Sequence, residues 1–186
     1  MKLPQWRLFA SHHALAYVLA SIGLAMALLL TPVLGPIQPL RADEDPPAFL
    51  GTWGSQGTGD GQFHHPFYVA GDSLGHIYVV ENSSRVQKFE RAGWFIENWW
   101  GGPATPFGYS PRGIAVDLED NVYVSDTSNN RIQKFSSTGD FITTWGIEGE
   151  SDGEFKSPHG IAVAPDGAVY VADERNHRVQ KFTWNQ

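Results

Sequence analysis

Short runs of apolar residues alternate with turn-forming residues from Phe49 to Phe182. The runs are rich in Val, Ile, Tyr, Phe and Trp, and they are bounded by Gly, Asp, Asn or Pro. These are the signals of β-strands joined by tight turns. Apolar residues stand at both odd and even positions, as Ile132 and Phe135 do, which indicates strands covered on both faces. The pattern therefore predicts an all-β fold built from sheets that are packed on both sides.

The whole pattern repeats along the chain. One motif, Arg-Val/Ile-Gln-Lys-Phe, occurs three times at spacings of 46 and 47 residues, at Arg85–Phe89, Arg131–Phe135 and Arg178–Phe182. Four antiparallel strands per repeat of this length, covered by their neighbours, are typical of a β-propeller blade. The sequence therefore predicts three four-stranded blades, in repeats of about residues 55–100, 101–146 and 147–186.

These repeats resemble the NHL-repeat family of β-propellers. The resemblance rests on four blocks in the third repeat, which are Asp152–Phe155, Pro158–Val163, Val169–Asp173 and Asn176–Phe182. It extends over residues 49–182, and the first repeat departs most from the pattern. The resemblance implies the fold but names no function, because propellers host many unrelated functions.

The N-terminal part of the chain has a different character. No Asp, Glu, Lys or Arg occurs from Leu8 to Leu40, and the apolar stretch Ala14–Leu34 is long enough to span a membrane. We therefore predict one N-terminal helix in residues 1–42, serving as a membrane anchor, with a cleaved signal peptide as the alternative. Residues 43–48 read as a linker. The expected location is the cell membrane, single-pass with an extracytoplasmic C-terminal domain, or alternatively secretion.

Charge and cysteine content exclude several function classes. The formal net charge is −7, and the part from Asp43 onward carries 10 basic and 20 acidic residues. We expect no nucleic-acid partner, since nucleic-acid binding depends on neutralising phosphates. The chain has no cysteine, which excludes disulfides, thiol nucleophiles and the zinc modules of tripartite-motif ubiquitin ligases.

Polar residues recur where the second strand of each repeat ends. An acid, an amide and an arginine stand there in the pattern Asp-x-x-Asn-x-Arg, with Glu81 as the acid of the first repeat. We interpret them as structural: the carboxylate and the amide bind backbone N–H groups of the turn, and the arginine reaches the next blade. The positions are Glu81, Asp126, Asn129, Arg131, Asp173, Asn176 and Arg178.

A second slot varies between repeats. The residues after the prolines that open each first strand are Phe67, Arg112 and His159. The innermost strand of a propeller blade begins near the central channel, so these side chains are candidates for ligand contact at its mouth, together with Tyr109. A structural role is the alternative reading.

The candidate chemistry favours binding over catalysis. No cofactor and no metal site are expected, because His159 is the only histidine in a channel slot and zinc needs three or four placed ligands. We therefore predict a binding module for a protein or another macromolecule. Propeller lyases, which the repeats resemble in fold, hold zinc with channel histidines. A metal-dependent lyase or lactonase-like enzyme at the channel mouth is therefore the alternative.

Counting strands leaves the set of repeats incomplete at both ends. Residues 49–54 read as a lone fourth strand before the first blade, and the third blade reads as lacking its own fourth strand. Closed propellers have about 4–8 blades. A homodimer that completes a six-bladed ring would satisfy both sides, and a truncated gene is the competing explanation.

Overall fold

The computed structural model describes residues 47–102 and 104–184. Nearly all of this part is β-strand and turn, and Leu50–Gln186 forms one compact unit. The predicted anchor or signal helix of residues 1–42 lies outside the described residues. Within the described ranges, no helix is long and apolar enough to cross a membrane.

Blade 1 and blade 2 are four-stranded antiparallel sheets whose strands follow one another in chain order. Blade 1 consists of β1 (Pro66–Gly71), β2 (Ile77–Glu81), β3 (Arg85–Phe89) and β4 (Phe95–Trp99). The loop into blade 2 carries a two-residue pair, β5 (Gly101–Gly102) with β6 (Thr105–Pro106). Blade 2 consists of β7 (Gly113–Val116), β8 (Val122–Asp126), β9 (Arg131–Phe135) and β10 (Phe141–Trp145).

Blade 3 has three strands, β11 (Pro158–Val163), β12 (Val169–Asp173) and β13 (Arg178–Phe182). The prediction of three four-stranded blades is therefore wrong for blade 3, whereas the strand count, which left this blade without its own fourth strand, is confirmed within the described residues. The predicted lone strand at residues 49–54 is also not a strand. A β-strand is assigned by its backbone hydrogen bonds to a second strand. Among the described residues, no strand pairs with this segment. The edge of β13 is likewise unpaired there.

The blades pack face to face through two hydrophobic clusters of matching composition. The cluster between blades 1 and 2 includes Tyr78, Val86 and Phe135. The cluster between blades 2 and 3 includes Tyr123 and Ile132, which stand at the repeat positions of Tyr78 and Val86. Blade 2 contributes Phe135 to the first cluster and Tyr123 and Ile132 to the second, which explains why its strands are apolar on both faces.

A tryptophan at the end of each outer strand reaches the next blade. The Trp99 ring lies 5.8 Å from the ring of Phe135, and the Trp145 ring lies 5.8 Å from that of Phe182. Trp53 makes the same contact with Phe89 of blade 1, at 6.2 Å between ring centroids. The residues around Trp53 therefore occupy the position of an outer strand that precedes blade 1, although they form no ladder.

Candidate functional site

A large concave surface lies between blades 2 and 3. We call it the mouth groove; it has a volume of about 890 Å³ and forms where β7 and β11 begin and where β8 and β12 end. Strand β7 contacts both β1 and β11, so the first strands of neighbouring blades lie side by side. The lining residues are polar, and they are Ser110, Arg112, Thr127, Ser128, Asn130, Glu148, Lys156, Ser157, His159, Glu174 and Arg175.

The same backbone conformation leads into every first strand. The residue before each of the three opening prolines has a positive φ, which is 53° at His65, 60° at Ser110 and 59° at Ser157. This left-handed conformation is uncommon for residues other than glycine. Its recurrence gives the residue after each proline an equivalent position in each blade, and two of these residues line the mouth groove.

The four predicted contact residues are not all in one place. Arg112 and His159 line the mouth groove. Phe67 lies beside it, because the guanidinium carbon of Arg112 sits 4.5 Å from the centre of the Phe67 ring in a cation–π contact. Tyr109 is 85% exposed and is not among the lining residues.

The mouth groove carries a small excess of positive charge. Arg112, Lys156 and Arg175 supply three fixed cations against two carboxylates, although the protein carries more acidic than basic residues. Lys156 is partly neutralised by Glu150, and the hydrogen bond from Lys156 lowers the pKa of that carboxyl. Among the described residues, Arg112 and Arg175 form no ion pair. Two guanidinium groups are thus open to an anionic ligand.

His159 is the one titratable ring in the mouth groove. Its Nε2 atom lies 3.0 Å from a carboxylate oxygen of Glu174, and both side chains are accessible to solvent. The Nδ1 atom on the other side of the ring accepts a hydrogen bond from a ligand when the imidazole is neutral and donates one when it is protonated. The pair therefore adds one adjustable hydrogen-bonding group beside the two arginines.

Sequence reasoning missed most of the cationic lining. Lys156 and Ser157 directly precede an opening proline, and Glu174 and Arg175 directly follow the buried acid Asp173. They therefore adjoin the repeated motifs that the sequence did reveal. The signal that could have found them is their place next to two motifs that meet at one end of the blade.

The acid at the end of each second strand is a buried clamp. Glu81, Asp126 and Asp173 are fully buried. Asp126 Oδ2 accepts hydrogen bonds from Asn129 Nδ2 at 2.9 Å, Arg131 Nε at 2.8 Å and Gln133 Nε2 at 2.9 Å. Its other oxygen accepts a backbone N–H at 2.8 Å from Gly108, in the loop that enters blade 2.

The clamp recurs in the other two repeats. Asp173 accepts from Asn176 and Arg178 at 2.9 Å each, and Glu81 accepts from Arg85. Burial alone would raise the pKa of Asp173, but these hydrogen bonds, with those from the Lys156 N–H and Gln180, keep its pKa below the ordinary carboxyl value. The clamps fix the connections that follow β8 and β12, which supply part of the mouth groove.

The expectation that the arginine reaches the next blade is wrong. Arg131 donates to the carbonyl oxygen of Pro106 at 2.8 Å, and Arg178 donates to that of Glu154 at 2.9 Å. Both carbonyls belong to the loop that enters the blade carrying the arginine. The reason is the register: Arg131 is the strand partner of Asp126, so its guanidinium is held within its own sheet.

The described residues show no converging metal ligands. No group of three or more His, Asp or Glu side chains placed to hold a metal ion occurs in residues 47–102 and 104–184. The rings of His64 and His65 pack against each other at 4.6 Å between centroids. The metal-dependent enzyme of the sequence analysis stays a prediction, which metal analysis of the purified protein tests.

Comparison with known structures shows similarity of fold. A structural genomics protein of unknown function from Bacteroides thetaiotaomicron is 20% identical, with a TM-score of 0.52 over 62% of this chain and 34% of that one. A streptogramin B lyase is 18% identical, with a TM-score of 0.47 over 62% and 39% of the two chains. Regucalcin, a calcium-binding protein from Agrobacterium tumefaciens, is 16% identical, with a TM-score of 0.46 over 62% and 40%. The chain thus covers less than half the length of each.

Comparison with curated proteins found no match. The family model of the NHL repeat matches the sequence twice, at residues 109–135 and 155–182. The first match runs from the residues before β7 to the end of β9, and the second runs from the residues before β11 to the end of β13. Each match therefore spans the first three strands of one blade, and the chain contains NHL repeats that fold as antiparallel blades of the β-propeller type.

Proposed function

We propose that this protein is an exported binding module whose mouth groove contacts an acidic segment of a protein ligand. The observation that carries the proposal is the pair of guanidinium groups, Arg112 and Arg175, which line one polar groove and have no ion-pair partner among the described residues. Arginine is suited to this task because its planar fork binds a carboxylate through two parallel hydrogen bonds.

The neighbours of the two arginines support a binding role. Phe67 stacks against Arg112 and so limits the orientations of its guanidinium. A side chain that is already ordered loses less conformational entropy when it binds. The buried clamps of Asp126 and Asp173 hold the two turns that flank the groove. The groove is therefore a prearranged surface at the ends of paired strands rather than a loose set of surface charges.

Replacing Arg112 or His159 by alanine is expected to weaken ligand binding about 10- to 100-fold, because each removes a charged or polar contact. The protein is used as bait on membranes of its source, the captured ligand is identified by mass spectrometry, and its affinity is then measured with purified components. Arg91→Ala, which changes an exposed arginine on the β3–β4 turn outside the groove, is the control. If Arg112→Ala and His159→Ala lower the melting temperature and leave the affinity unchanged, the two residues are structural.

The membrane anchor is part of the same proposal. Expressed with its own N-terminus, the protein is expected to sediment with membranes at full-length mass, because the stretch Ala14–Leu34 is long enough to span the bilayer. Fractionation followed by intact-mass measurement checks this. A soluble product that begins near Asp43 would show a cleaved signal peptide and a secreted protein instead.

A further inference from the structure

The described blades present two exposed apolar faces, one on blade 1 and one on blade 3. On blade 3, Val179 is 68% exposed and lies in a shallow depression of about 290 Å³ lined by Ile161, Ala162, Tyr170 and Ala172 as well. On blade 1, Val69 is 67% exposed. Exposed apolar surface of this kind on a sheet face marks an interaction site or an aggregation hazard.

The exposed face of blade 3 corresponds to the faces that blades 1 and 2 bury against the following blade. Val86 of blade 1 and Ile132 of blade 2 stand at the repeat position of Val179, and both are fully buried against the following blade. Tyr78 and Tyr123 stand at the position of Tyr170 and are buried in the same two clusters. Blade 3 thus offers the same surface with nothing packed on it among the described residues.

The exposed face of blade 1 corresponds to the face of blade 2 that packs on blade 1. Ile114 and Phe135 of blade 2 pack with Val86 and Tyr78 of blade 1 in the first cluster. The residues of blade 1 at the positions of Ile114 and Phe135 are apolar as well. They are Val69, which is exposed, and Phe89, which is fully buried beside Trp53 and Phe63 of its own copy. The two exposed faces are therefore complementary in the same sense as the two buried interfaces.

We propose that two copies of this chain associate, with blade 3 of each copy packed on blade 1 of the other. The contact would be a third example of an interface that the chain already forms twice within itself. Closed propellers have about 4–8 blades. The described residues of one copy form three blades, so two copies give six, which lies in that range.

The unpaired edges support the same arrangement. Strand β13 lacks the outer neighbour that β3 and β9 have in β4 and β10. Phe49 stands at the repeat position of Phe95 and Phe141, which pack on the β3 and β9 phenylalanines at 6.0 and 5.9 Å between ring centroids. Residues 49–54 of one copy would pair with β13 of the other. Phe49 would then lie against the second copy's Phe182.

The association also affects the mouth groove, although it does not depend on the proposed ligand. In the chain, β7 lies between β1 and β11, and Arg112 contacts Phe67 of the preceding blade. In the dimer, β1 of the second copy would lie beside β11. Its Phe67 would then stand next to His159, so each copy would contribute residues to the same mouth.

Light scattering on the purified 186-residue chain in mild detergent, with the detergent mass subtracted, is expected to give twice the chain mass of 20.5 kDa. Val179→Asp and Val69→Asp are each expected to raise the dissociation constant of the dimer at least about 100-fold, because each buries a charge without a partner. Both residues are exposed in the chain, so circular dichroism should show unchanged folding. Leu118→Asp, which changes a leucine that is 72% exposed on the β7–β8 turn of blade 2, should remain dimeric.

Mixing the two variants tests whether blade 3 of one copy contacts blade 1 of the other. A dimer of one Val179→Asp chain with one Val69→Asp chain has one interface with both changes and one with neither, so equimolar mixing should partly restore the dimer. A monomer or an open-ended polymer of the unchanged chain overturns the proposal. A dimer that survives both variants, or a mass that requires a different polypeptide, overturns it as well.

Discussion

Replacing Asp126 by alanine is expected to lower the free energy of unfolding by about 3 kcal/mol and the melting temperature by roughly 10 °C. Asp126 is fully buried and accepts hydrogen bonds from Asn129, Arg131, Gln133 and the Gly108 N–H. Its removal leaves the Gln133 amide buried without this acceptor and the arginine charge without its carboxylate. Losing one partner of a buried pair costs more than the pair contributes.

Thermal melts at one fixed protein concentration measure this effect. Asp152→Ala is the matched control. Asp152 also pairs with an arginine, with 3.7 Å between its Oδ1 and Arg178 Nη1, but its side chain is fully exposed. Exposed ion pairs contribute little, so this control should leave the melting temperature nearly unchanged. Equal effects of the two changes would contradict the stabilising role of the Asp126 clamp.

The repeated motif allowed much of the fold to be predicted. Strands β3, β9 and β13 begin and end at the residues of the motif, Arg85–Phe89, Arg131–Phe135 and Arg178–Phe182. For β3 and β9 the prediction works because each strand lies inside a sheet and between blades, so almost every position is constrained by a neighbour. Even the first repeat, which the NHL family model does not match, folds with the same strand order.

Outer strands were harder to predict from the sequence. Residues 49–54 have the same pattern as β4 and β10, yet they form no strand. The pattern reports which residues suit a strand, and the ladder also requires a second strand to pair with. The arginines show the same limit, since residue type indicated a charged contact and only the register with Asp126 showed that it stays within the blade.

The candidate site was predicted in part. Arg112 and His159 were found because they vary within a constant slot, and both line the mouth groove. Lys156 and Arg175 were not found, because they belong to the loop before β11 and to the turn after β12, which meet only when the blade folds. A single sequence gives the order of such segments but not the end of the sheet at which their side chains converge.

Replacing Phe135 by alanine is expected to lower the free energy of unfolding by about 4 kcal/mol and the melting temperature by roughly 15 °C. The ring is fully buried and lies 5.8, 5.6 and 5.9 Å from the rings of Trp99, Phe107 and Phe141. These three rings belong to the outer strand of blade 1, the loop into blade 2 and the outer strand of blade 2. The change therefore leaves a cavity where three elements meet.

Trp94→Ala is the control for this prediction, since it removes a larger ring that is 72% exposed on the β3–β4 turn. It should change stability by less than about 0.5 kcal/mol. Phe182→Ala removes the equivalent ring of blade 3, which contacts Trp145 and Phe155 but is only partly buried. Its cost should lie between the other two, because the cavity opens toward the unpaired edge of β13. If Phe135→Ala melts at the temperature of Trp94→Ala, the cluster between blades 1 and 2 does not hold the fold together.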